Sequence, residues 1–464
     1  MMLQRLYKTS LALALFMCLA FSSTATPQSL LIRVDAFFGG PVHKTNEPYT
    51  LAGEVIYMGD GVFESVYLNW QLEDDDEVQT TFFDDLSLNP YIPFRYEVSE
   101  KWIPTQAGVY EFTFWFSGLN GDESNVPASE EFQVTIEVYD QLPQKQVVLL
   151  ESFSSVNCGS CALVTPILRN LVAQNPQQYA QIYYHPLHYE NSPLYHFNPK
   201  DQDNRRDLYD VFYTPFSVIG SLFSGGSELV DEQLLQYELN KWAGFSLSGE
   251  WFVQDNTLYY DIEGEIFMET ANPQKDLRLL VVGVEDSVAF DSPPGSNGED
   301  TFYNVMRFFA PDAQGTRITP DAFDGSIAMQ KSMPWIEQLD TAKMTLMLFV
   351  QDFQSKEIYQ AVFMDHNIFM DPDDPTSIVD PHTPEINVFP NPASDFITIA
   401  FRDNHLPQVG IIYDLQGRQV LREYLYEGHT GTLDVSGLTP GVYILHLTSR
   451  EKRITKRISI IAQP

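Results

Sequence analysis

The sequence predicts a multidomain protein in which β-sandwich units flank one α/β unit. Most apolar residues lie in short runs that alternate with polar residues, the pattern of half-buried β-strands. Residues 144–244 differ, because strand-like runs there alternate with apolar residues at helical spacing. The chain has 464 residues, and at about 150 residues per domain this length suggests three or four domains.

The N-terminus has the features of a secretory signal peptide. Arg5 and Lys8 precede an apolar run over residues 11–21 that is too short to span a bilayer. Small residues end this segment at Ala25, after which we expect cleavage, so residues 1–25 form the predicted signal peptide. No later stretch of sequence is long and apolar enough for a membrane helix, so no transmembrane segment is predicted in the mature chain.

The charge balance is strongly acidic, with 27 Lys and Arg residues against 63 Asp and Glu residues and a formal net charge of −36. Proteins that bind nucleic acids need basic faces to neutralise phosphates. The composition therefore argues against a nucleic-acid partner. The negative charge favours solubility and identifies no partner by itself.

Residues 29–140 are predicted to form an all-β domain. Alternating apolar and polar runs are separated by turns rich in Asn and Gly. The simplest architecture for such strands is an immunoglobulin-like β-sandwich. The predicted strands are residues 30–35, 62–72, 108–116 and 132–138.

Residues 144–244 are predicted to form an α/β domain with the element order β-α-β-α-β-β-α. The first helix is identified by Leu163, Ile167, Leu168 and Leu171, which recur at helical spacing. The predicted strands are residues 146–150, 179–187, 216–219 and 221–223, and the two later helices are residues 201–209 and 229–242.

The remaining sequence returns to strand-like patterns. Residues 245–366 are predicted to form a second β-sandwich, with strands at 246–253, 258–266, 277–284, 344–352 and 359–364. Residues 367–384 are rich in Pro and Asp without periodicity, which indicates an extended linker. Residues 385–464 are predicted to form a small C-terminal β-sandwich, with strands at 396–401, 409–413 and 442–447.

Cys158 and Cys161 are the cysteines that remain when Cys18 leaves with the signal peptide. A C-x-x-C pair closes a small loop that constrains the unfolded chain little, so redox chemistry explains it better than stability does. The pair lies between a predicted strand and a predicted helix, whose N-terminus lowers the pKa of the first cysteine. We predict Cys158 as the nucleophile and Cys161 as the resolving thiol. Their disulfide is the redox group, and no bound cofactor is predicted.

Two prolines extend this pattern. Pro166 follows Cys161 by five residues, inside the predicted helix, where a proline costs ~3 kcal/mol. Pro215 follows Thr214 directly before a short apolar strand, where the X-Pro bond could be cis. These features resemble the thioredoxin family, which has a proline five residues after C-x-x-C and a cis-proline opposite the disulfide. The resemblance implies a thioredoxin-like domain, a site formed by Thr214, Pro215 and the two cysteines, and substrates that are protein thiols or disulfides.

Three positions depart from the thioredoxin pattern. Asn157 stands where thioredoxins have Trp, and Ser160 stands where they have Pro. The buried acidic residue of the family corresponds to Ser152, and Glu151 is its neighbour. The sequence leaves open whether Glu151 replaces that acid in proton transfer.

The C-x-x-C unit with its following β-domain also resembles the outer-membrane-protein-28-related family of surface proteins, over residues 146–365. Residues 303–308 and 349–352 look similar to segments in the C-terminal part of that family. This resemblance implies a surface protein and carries over no activity.

The C-terminal β-sandwich has three spaced motifs: Phe-Pro-Asn-Pro, Asp-Leu-Gln-Gly-Arg and Leu-Thr-Pro-Gly-Val-Tyr. They resemble the C-terminal sorting domain of proteins exported by the type IX secretion system of Gram-negative bacteria. The resemblance implies recognition by that secretion machinery and release or attachment at the cell surface. The motif residues are Pro390, Asn391, Pro392, Gly417, Leu438, Pro440, Gly441 and Tyr443.

His185 and His188 could be interpreted as zinc ligands. Residues three apart on a strand face opposite sides, and zinc fingers separate their histidines by about 3–5 residues. We therefore predict polar loop residues and no metal site.

The function predicted from the sequence is that of a secreted or cell-surface protein at the outer membrane or outside the cell. Its thioredoxin-like module would carry out thiol–disulfide exchange through Cys158-Gly-Ser-Cys161. The alternative is a non-enzymatic surface protein with an adhesive or structural role and an inert disulfide. The sequence leaves open whether exchange would run as reduction, oxidation or isomerisation.

Overall fold

The computed structural model describes residues 30–73, 75–187, 192–320, 322–323, 325–366, 386–390, 393–401, 409–413, 419–424, 430–448 and 453–461. The chain divides into two compact units, Met1–Ile368 and Phe369–Pro464. The signal peptide predicted at residues 1–25 and the linker predicted at residues 367–384 lie outside the described residues.

The first part of the larger unit is a β-sandwich, as the sequence predicts. Its strands are β1 (Ile32–Phe37), β2 (Val42–Lys44), β3 (Ala52–Tyr57), β4 (Val66–Leu72), β5 (Gln79–Phe83), β6 (Pro93–Glu97), β7 (Gly108–Ser117) and β8 (Phe132–Tyr139). One sheet has the order β1-β3-β6 and the other β2-β8-β7-β4-β5. Alternate residues of β7 (Phe112, Phe114 and Phe116) are fully buried between the sheets, where each apolar side chain contributes about 1.5–3 kcal/mol.

The next segment alternates strands and helices. Its elements are β9 (Val148–Phe153), α1 (Gly159–Ala173), β10 (Tyr179–Tyr184), α2 (Pro193–Phe197), α3 (Pro199–Leu208), β11 (Phe216–Ile219), β12 (Phe223–Gly226) and α4 (Glu232–Leu239). The helix predicted at 229–242 is shorter because Asp231 caps α4 by accepting the Leu234 N–H at 3.0 Å. The hairpin strand predicted at 221–223 lies further along the chain, at β12.

Strands return after α4. They are β13 (Phe245–Gln254), β14 (Thr257–Ile266), β15 (Leu277–Ala289), β16 (Thr301–Ala310), β17 (Thr316–Arg317), β18 (Ser326–Pro334), β19 (Met344–Asp352), β20 (Ile358–Phe363) and β21 (Asp365–His366). Short 3₁₀ helices lie at Leu119–Gly121, Ser227–Leu229 and Thr341–Lys343.

A single sheet runs through the residues predicted as an α/β domain and a second β-sandwich. In the described chain it has nine strands, with the order β12-β11-β9-β10-β16-β15-β19-β20 and with β17 paired to β15. The two halves meet where β10 pairs with β16 in parallel, at Tyr183 and Val305. The sheet β18-β14-β13-β21 packs on its β15–β20 part through Trp251, Leu279 and Leu348.

The helices cover both faces of the other half of this sheet. Val148 and Leu150 of β9 pack with Leu168 of α1 and Leu234 of α4. Leu149, on the opposite face of β9, packs with Tyr209 at the end of α3. This alternation follows from the two-residue period of a strand.

The smaller unit is a β-sandwich of two sheets, as predicted. Its strands are β22 (Ile386–Phe389), β23 (Phe396–Phe401), β24 (Val409–Tyr413), β25 (Gln419–Tyr424), β26 (Thr430–Asp434), β27 (Gly441–Thr448) and β28 (Arg453–Ile460). The sheet orders are β22-β23-β26 and β25-β24-β27-β28. Ile397, Ile412 and Leu445 lie in the core between the sheets.

Candidate functional site

The cysteine pair lies where α1 begins after β9, as the sequence predicts, with Cys158 directly before α1 and Cys161 in its first turn. Cys158 is the N-cap of α1, and its Sγ accepts the backbone N–H of Cys161 at 3.1 Å. The Ser160 hydroxyl lies 3.5 Å from the same sulfur. The two sulfurs form a disulfide. A sulfur at this position faces the free N–H groups and positive dipole end of the helix, which stabilise a thiolate.

The two cysteines differ in exposure. Cys158 is 8% exposed and Cys161 is 1% exposed, so Cys158 is the more accessible residue, as predicted. Pro166 lies inside α1, also as predicted. Of the two residues, Cys158 is therefore the one nearer the surface.

Pro215 lies directly before β11, at the edge of the sheet where β9 ends and residues 154–157 lead to Cys158. β11 pairs antiparallel with β9, and Phe216 is the partner of Phe153. This register puts Pro215 beside Ser154, four residues before Cys158. The Thr214–Pro215 peptide bond is cis, as predicted.

Glu151 faces away from the helix that carries the cysteines. It shares its face of β9 with Leu149, whereas α1 packs on the face formed by Val148 and Leu150. Its carboxylate accepts Arg205 Nε at 3.0 Å and Arg205 Nη2 at 2.5 Å, and both side chains are completely buried. Glu151 therefore serves a buried ion pair and does not replace the acid of the thioredoxin pattern.

Neutral hydroxyl groups occupy the α1 face at this level of the sheet. Ser152 Oγ accepts a hydrogen bond from Gln181 Nε2 at 3.3 Å and lies 3.3 Å from Ser217 Oγ. Ser217 Oγ in turn lies 2.7 Å from Ser227 Oγ. The position of the family's buried acid is thus part of an uncharged hydrogen-bonded chain.

A loop between β15 and β16 is bonded to the segment that leads to Cys158. Asn297 donates its backbone N–H to Val156 O at 3.0 Å and its side-chain amide to Ser155 O at 3.2 Å. Ser296 donates its backbone N–H to Asn157 Oδ1 at 3.0 Å. These residues were not predicted, because about 140 positions separate them from their partners and no local sequence pattern links the two segments.

Gly295 allows this loop to pack directly against the backbone of Val156. A Cβ atom at Gly295 would lie 2.2 Å from Val156 O, closer than any side chain can come to a backbone oxygen. The absence of a side chain at this position therefore allows the backbone contact.

Apolar side chains are exposed on α1 and before Pro215. Leu163 is 74% exposed and Phe212 is 80% exposed, and Ile167 and Tyr213 are also exposed. The ring of Tyr213 lies 5.1 Å from that of Phe216, in an edge-to-face arrangement. Exposed apolar groups of this kind are frequent at binding surfaces.

His185 lies in the loop directly after β10, as predicted, but its side chain is buried in the core, which the sequence did not indicate. It is 2% exposed, and its ring lies edge-on to Phe302 at 5.6 Å. Burial and then the nearby charge of Arg307 lower the pKa of His185 to about 3. His188 lies outside the described residues. Within the described ranges, no group of three or more His, Cys, Asp or Glu residues could hold a metal ion.

The sorting residues divide between described and undescribed positions. Leu438 and Pro440 lie in the turn before β27, Gly441 is the first residue of β27, and Tyr443 donates its hydroxyl to Thr439 O at 2.7 Å. Pro390 follows β22 directly. Asn391, Pro392 and Gly417 lie outside the described residues.

Comparison with known proteins identifies one segment. Residues 387–461 match the family described as secretion system C-terminal sorting domain. A search of curated proteins found no match. Among the helices that the structure describes, none is long and apolar enough to cross a membrane.

The chain is distantly similar to solved structures. HBP35 of Porphyromonas gingivalis has 14% sequence identity and a TM-score of 0.41, with 70% of this chain and 100% of that chain covered. A domain of the outer membrane lipoprotein Omp28 from the same organism has 14% identity and a TM-score of 0.20, with 27% of this chain and 92% of that chain covered. The matched C-terminal segment, by contrast, is a sorting domain, so the chain is exported through the type IX secretion system to the cell surface or outer membrane.

Proposed function

We propose that this exported protein carries a thioredoxin-like module that performs thiol–disulfide exchange through Cys158 and Cys161. The observation that carries the proposal is the position of Cys158 at the N-cap of α1, with its sulfur accepting the Cys161 N–H. The strand order β12-β11-β9-β10 supports it, because α1 and α4 pack on one face of these strands and α3 on the other.

The exchange involves two sulfur displacements. A substrate thiolate attacks Cys158 Sγ, a substrate–Cys158 disulfide forms, the Cys158–Cys161 bond breaks and Cys161 leaves as a thiolate. A second substrate thiol loses its proton and attacks the substrate sulfur of this mixed disulfide, which releases Cys158 as a thiolate. The substrate pair is oxidised and the cysteine pair is reduced. The reverse sequence reduces a substrate disulfide.

The residues around the pair have distinct parts in this proposal. The α1 N-terminus stabilises the Cys158 thiolate. The backbone at Thr214 and Pro215 offers hydrogen-bonding groups to an extended substrate peptide. The exposed side chains of Leu163 and Phe212 would contact apolar substrate residues.

The reduction potential of the cysteine pair tests the proposal. The full mature chain would be equilibrated with glutathione buffers and the fraction of disulfide measured by thiol alkylation and mass spectrometry. We expect a potential clearly above ~−300 mV, because structural disulfides of secreted proteins lie below that value. The Cys161→Ser variant should also accumulate mixed disulfides with substrate, whereas Cys158→Ser should not.

A potential below ~−300 mV would support the alternative of a non-enzymatic surface protein with an inert disulfide. The low exposure of Cys158 is the observation that favours this alternative. The same alternative would be supported if the Cys161→Ser variant formed no mixed disulfide with any partner.

A further inference from the structure

A cleft opens where the two halves of the nine-stranded sheet separate. β10 and β16 are paired at one position, Tyr183 and Val305, and diverge towards Tyr179. The space beside them is covered by the last turns of α1 and has a volume of about 360 Å³, within the usual range for small-molecule pockets. Its walls include Arg169, Val172, Gln181, Tyr303, Asn304 and Met347.

Arg169 brings a positive charge to this cleft. Its guanidinium lies over the ring of Tyr303, with Cζ 3.3 Å from the ring centroid. Within the described part of the chain, no carboxylate lies within 4.0 Å of the Arg169 nitrogens. An arginine without a carboxylate partner is unexpected in a chain with 63 acidic residues. The N–H groups of the Arg169 guanidinium are therefore available to bind an anion.

Gln181 brings a buried acceptor to the same cleft. The residue is 3% exposed and its Oε1 has no hydrogen-bond partner, while its Nε2 donates to Ser152 Oγ at 3.3 Å. A buried carbonyl without a donor is unfavourable. A ligand with an N–H group would satisfy it.

We propose that this cleft, termed the Arg169 cleft, binds a carboxylate that carries a neighbouring N–H group and a small apolar side chain. Arg169 would hold the carboxylate in a bidentate pair, and Gln181 Oε1 would accept the N–H. Val172 and Met347 would contact the apolar side chain. This chemistry occurs in an N-acyl amino acid and in the C-terminal residue of a peptide. The site is independent of the cysteine chemistry proposed above.

Isothermal titration calorimetry with the full mature chain tests the Arg169 cleft. The probes are N-acetyl-L-leucine, the peptide acetyl-Gly-Gly-Gly-Leu with a free carboxylate, and the C-terminal amides of both. We expect saturable one-to-one binding of at least one acid, with at least tenfold weaker binding of its amide. Binding of the peptide acid would identify a peptide C-terminus as the ligand, whereas binding of N-acetyl-L-leucine alone would identify a free amino-acid derivative.

Two variants connect binding to the named residues. Arg169→Lys keeps the charge but loses the planar fork, and Gln181→Met keeps the size but loses the acceptor, so each should weaken binding at least tenfold. Arg206→Gln, which removes an arginine paired with Asp203 and Asp207, is the matched control and should bind normally. Arg169→Lys and Arg206→Gln should keep the reduction potential of the cysteine pair. The proposal would be overturned if neither acid bound at any concentration up to its solubility limit. It would also be overturned if the acids and their amides bound equally well.

Discussion

At the scale of single residues, the helix cap at Cys158 separates the two cysteines chemically. Cys158 accepts a backbone N–H and retains some exposure, while Cys161 is fully enclosed one turn further along α1. A stabilised thiolate is present in a larger fraction at neutral pH, and access adds to its reactivity. The residue types alone do not distinguish the two sulfurs, but the cap does.

Alkylation of the reduced protein measures this difference. With iodoacetamide at pH 7, we expect Cys158 to react several times faster than Cys161, because Cys158 is the more exposed residue and the N-terminus of α1 stabilises its thiolate. Peptide mass spectrometry of samples stopped at successive times reports both rates. Equal rates would contradict the assignment of Cys158 as the nucleophile.

Glu151 is an example of a residue whose role only the structure reveals. Removing its charge leaves the Arg205 guanidinium buried without a carboxylate, so Glu151→Gln should lower the free energy of unfolding by about 3–5 kcal/mol. Urea denaturation measures this change. The alkylation rate of Cys158 should stay the same, because Glu151 faces the other side of β9.

Asp207→Asn is the control for Glu151→Gln. Asp207 pairs with Arg206 at the surface, with its side chain 68% exposed, so its removal should cost less than about 1 kcal/mol. A Cys158 alkylation rate that falls with Glu151→Gln but not with Asp207→Asn would indicate that Glu151 does act on the cysteines.

His185 should make stability depend on acid. Burial lowers its pKa to about 3 in the folded protein, while the unfolded chain binds the proton near pH ~6.5. Its contribution is therefore fully present above pH ~6.5 and is lost as the pH falls towards about 3, with a slope of up to ~1.4 kcal/mol per pH unit. His185→Phe should remove this slope from unfolding free energies measured between pH 7 and 4. If the slope is the same in His185→Phe as in the unmodified protein, His185 is not the group that makes stability depend on pH.

At the scale of elements, the loop before β16 supports the cysteine segment. The loop donates backbone hydrogen bonds to Val156 and Asn157, and the small size of Gly295 permits the contact. The segment that leads to Cys158 is thus held by the loop between β15 and β16 as well as by the α/β elements. Asn157, the residue directly before Cys158, accepts a hydrogen bond from this loop.

Gly295→Ala tests the contribution of this loop. The added methyl group would overlap Val156 O, so the loop must move away. We expect dithiothreitol to reduce the disulfide several times faster, because Cys158 becomes more accessible, as followed by quenched alkylation. Ser292→Ala, an exposed position in the same loop, should leave the rate unchanged. Equal rates for both variants would show that the loop does not control access.

Local sequence patterns predicted many of the helices and strands, but they did not predict which strands pair with each other. The strand at 216–219, the strand at 344–352 and the proline inside α1 follow from short-range periodicity and spacing. β18 was missed because it has a mixed burial pattern at a sheet edge, with Lys331 and Ser332 both exposed. The pairing of Tyr183 with Val305 joins residues far apart in sequence, so periodicity carries no information about it.

At the scale of the whole molecule, a cluster of buried charged residues connects distant elements of the larger unit. Lys145, before β9, donates to the carboxylate of Glu238 in α4 and to Ile358 O at 2.6 Å. Lys241 lies 3.0 Å from the carboxylate of Glu357, beside β20. Burial alone would raise the pKa of Glu357, but attraction to Lys241 and Lys145 outweighs it and lowers the pKa to about 2. Residues beside β9, α4 and β20 thus share one buried cluster of charges.

The division into two compact units leads to a prediction about export. A chain truncated after Asp380 keeps the whole of the larger unit, with its own cores and the cysteine pair, but lacks the sorting domain at 387–461. We expect it to fold, to keep the reduction potential of the full chain and to accumulate in the periplasm instead of reaching the cell surface. Cell fractionation and surface proteolysis measure its location, with the full chain expressed in the same cells as the control. Surface exposure of the truncated chain at the level of the full chain would show that the signal for export lies elsewhere, whereas a truncated chain that fails to fold would show that the larger unit needs the residues after Asp380.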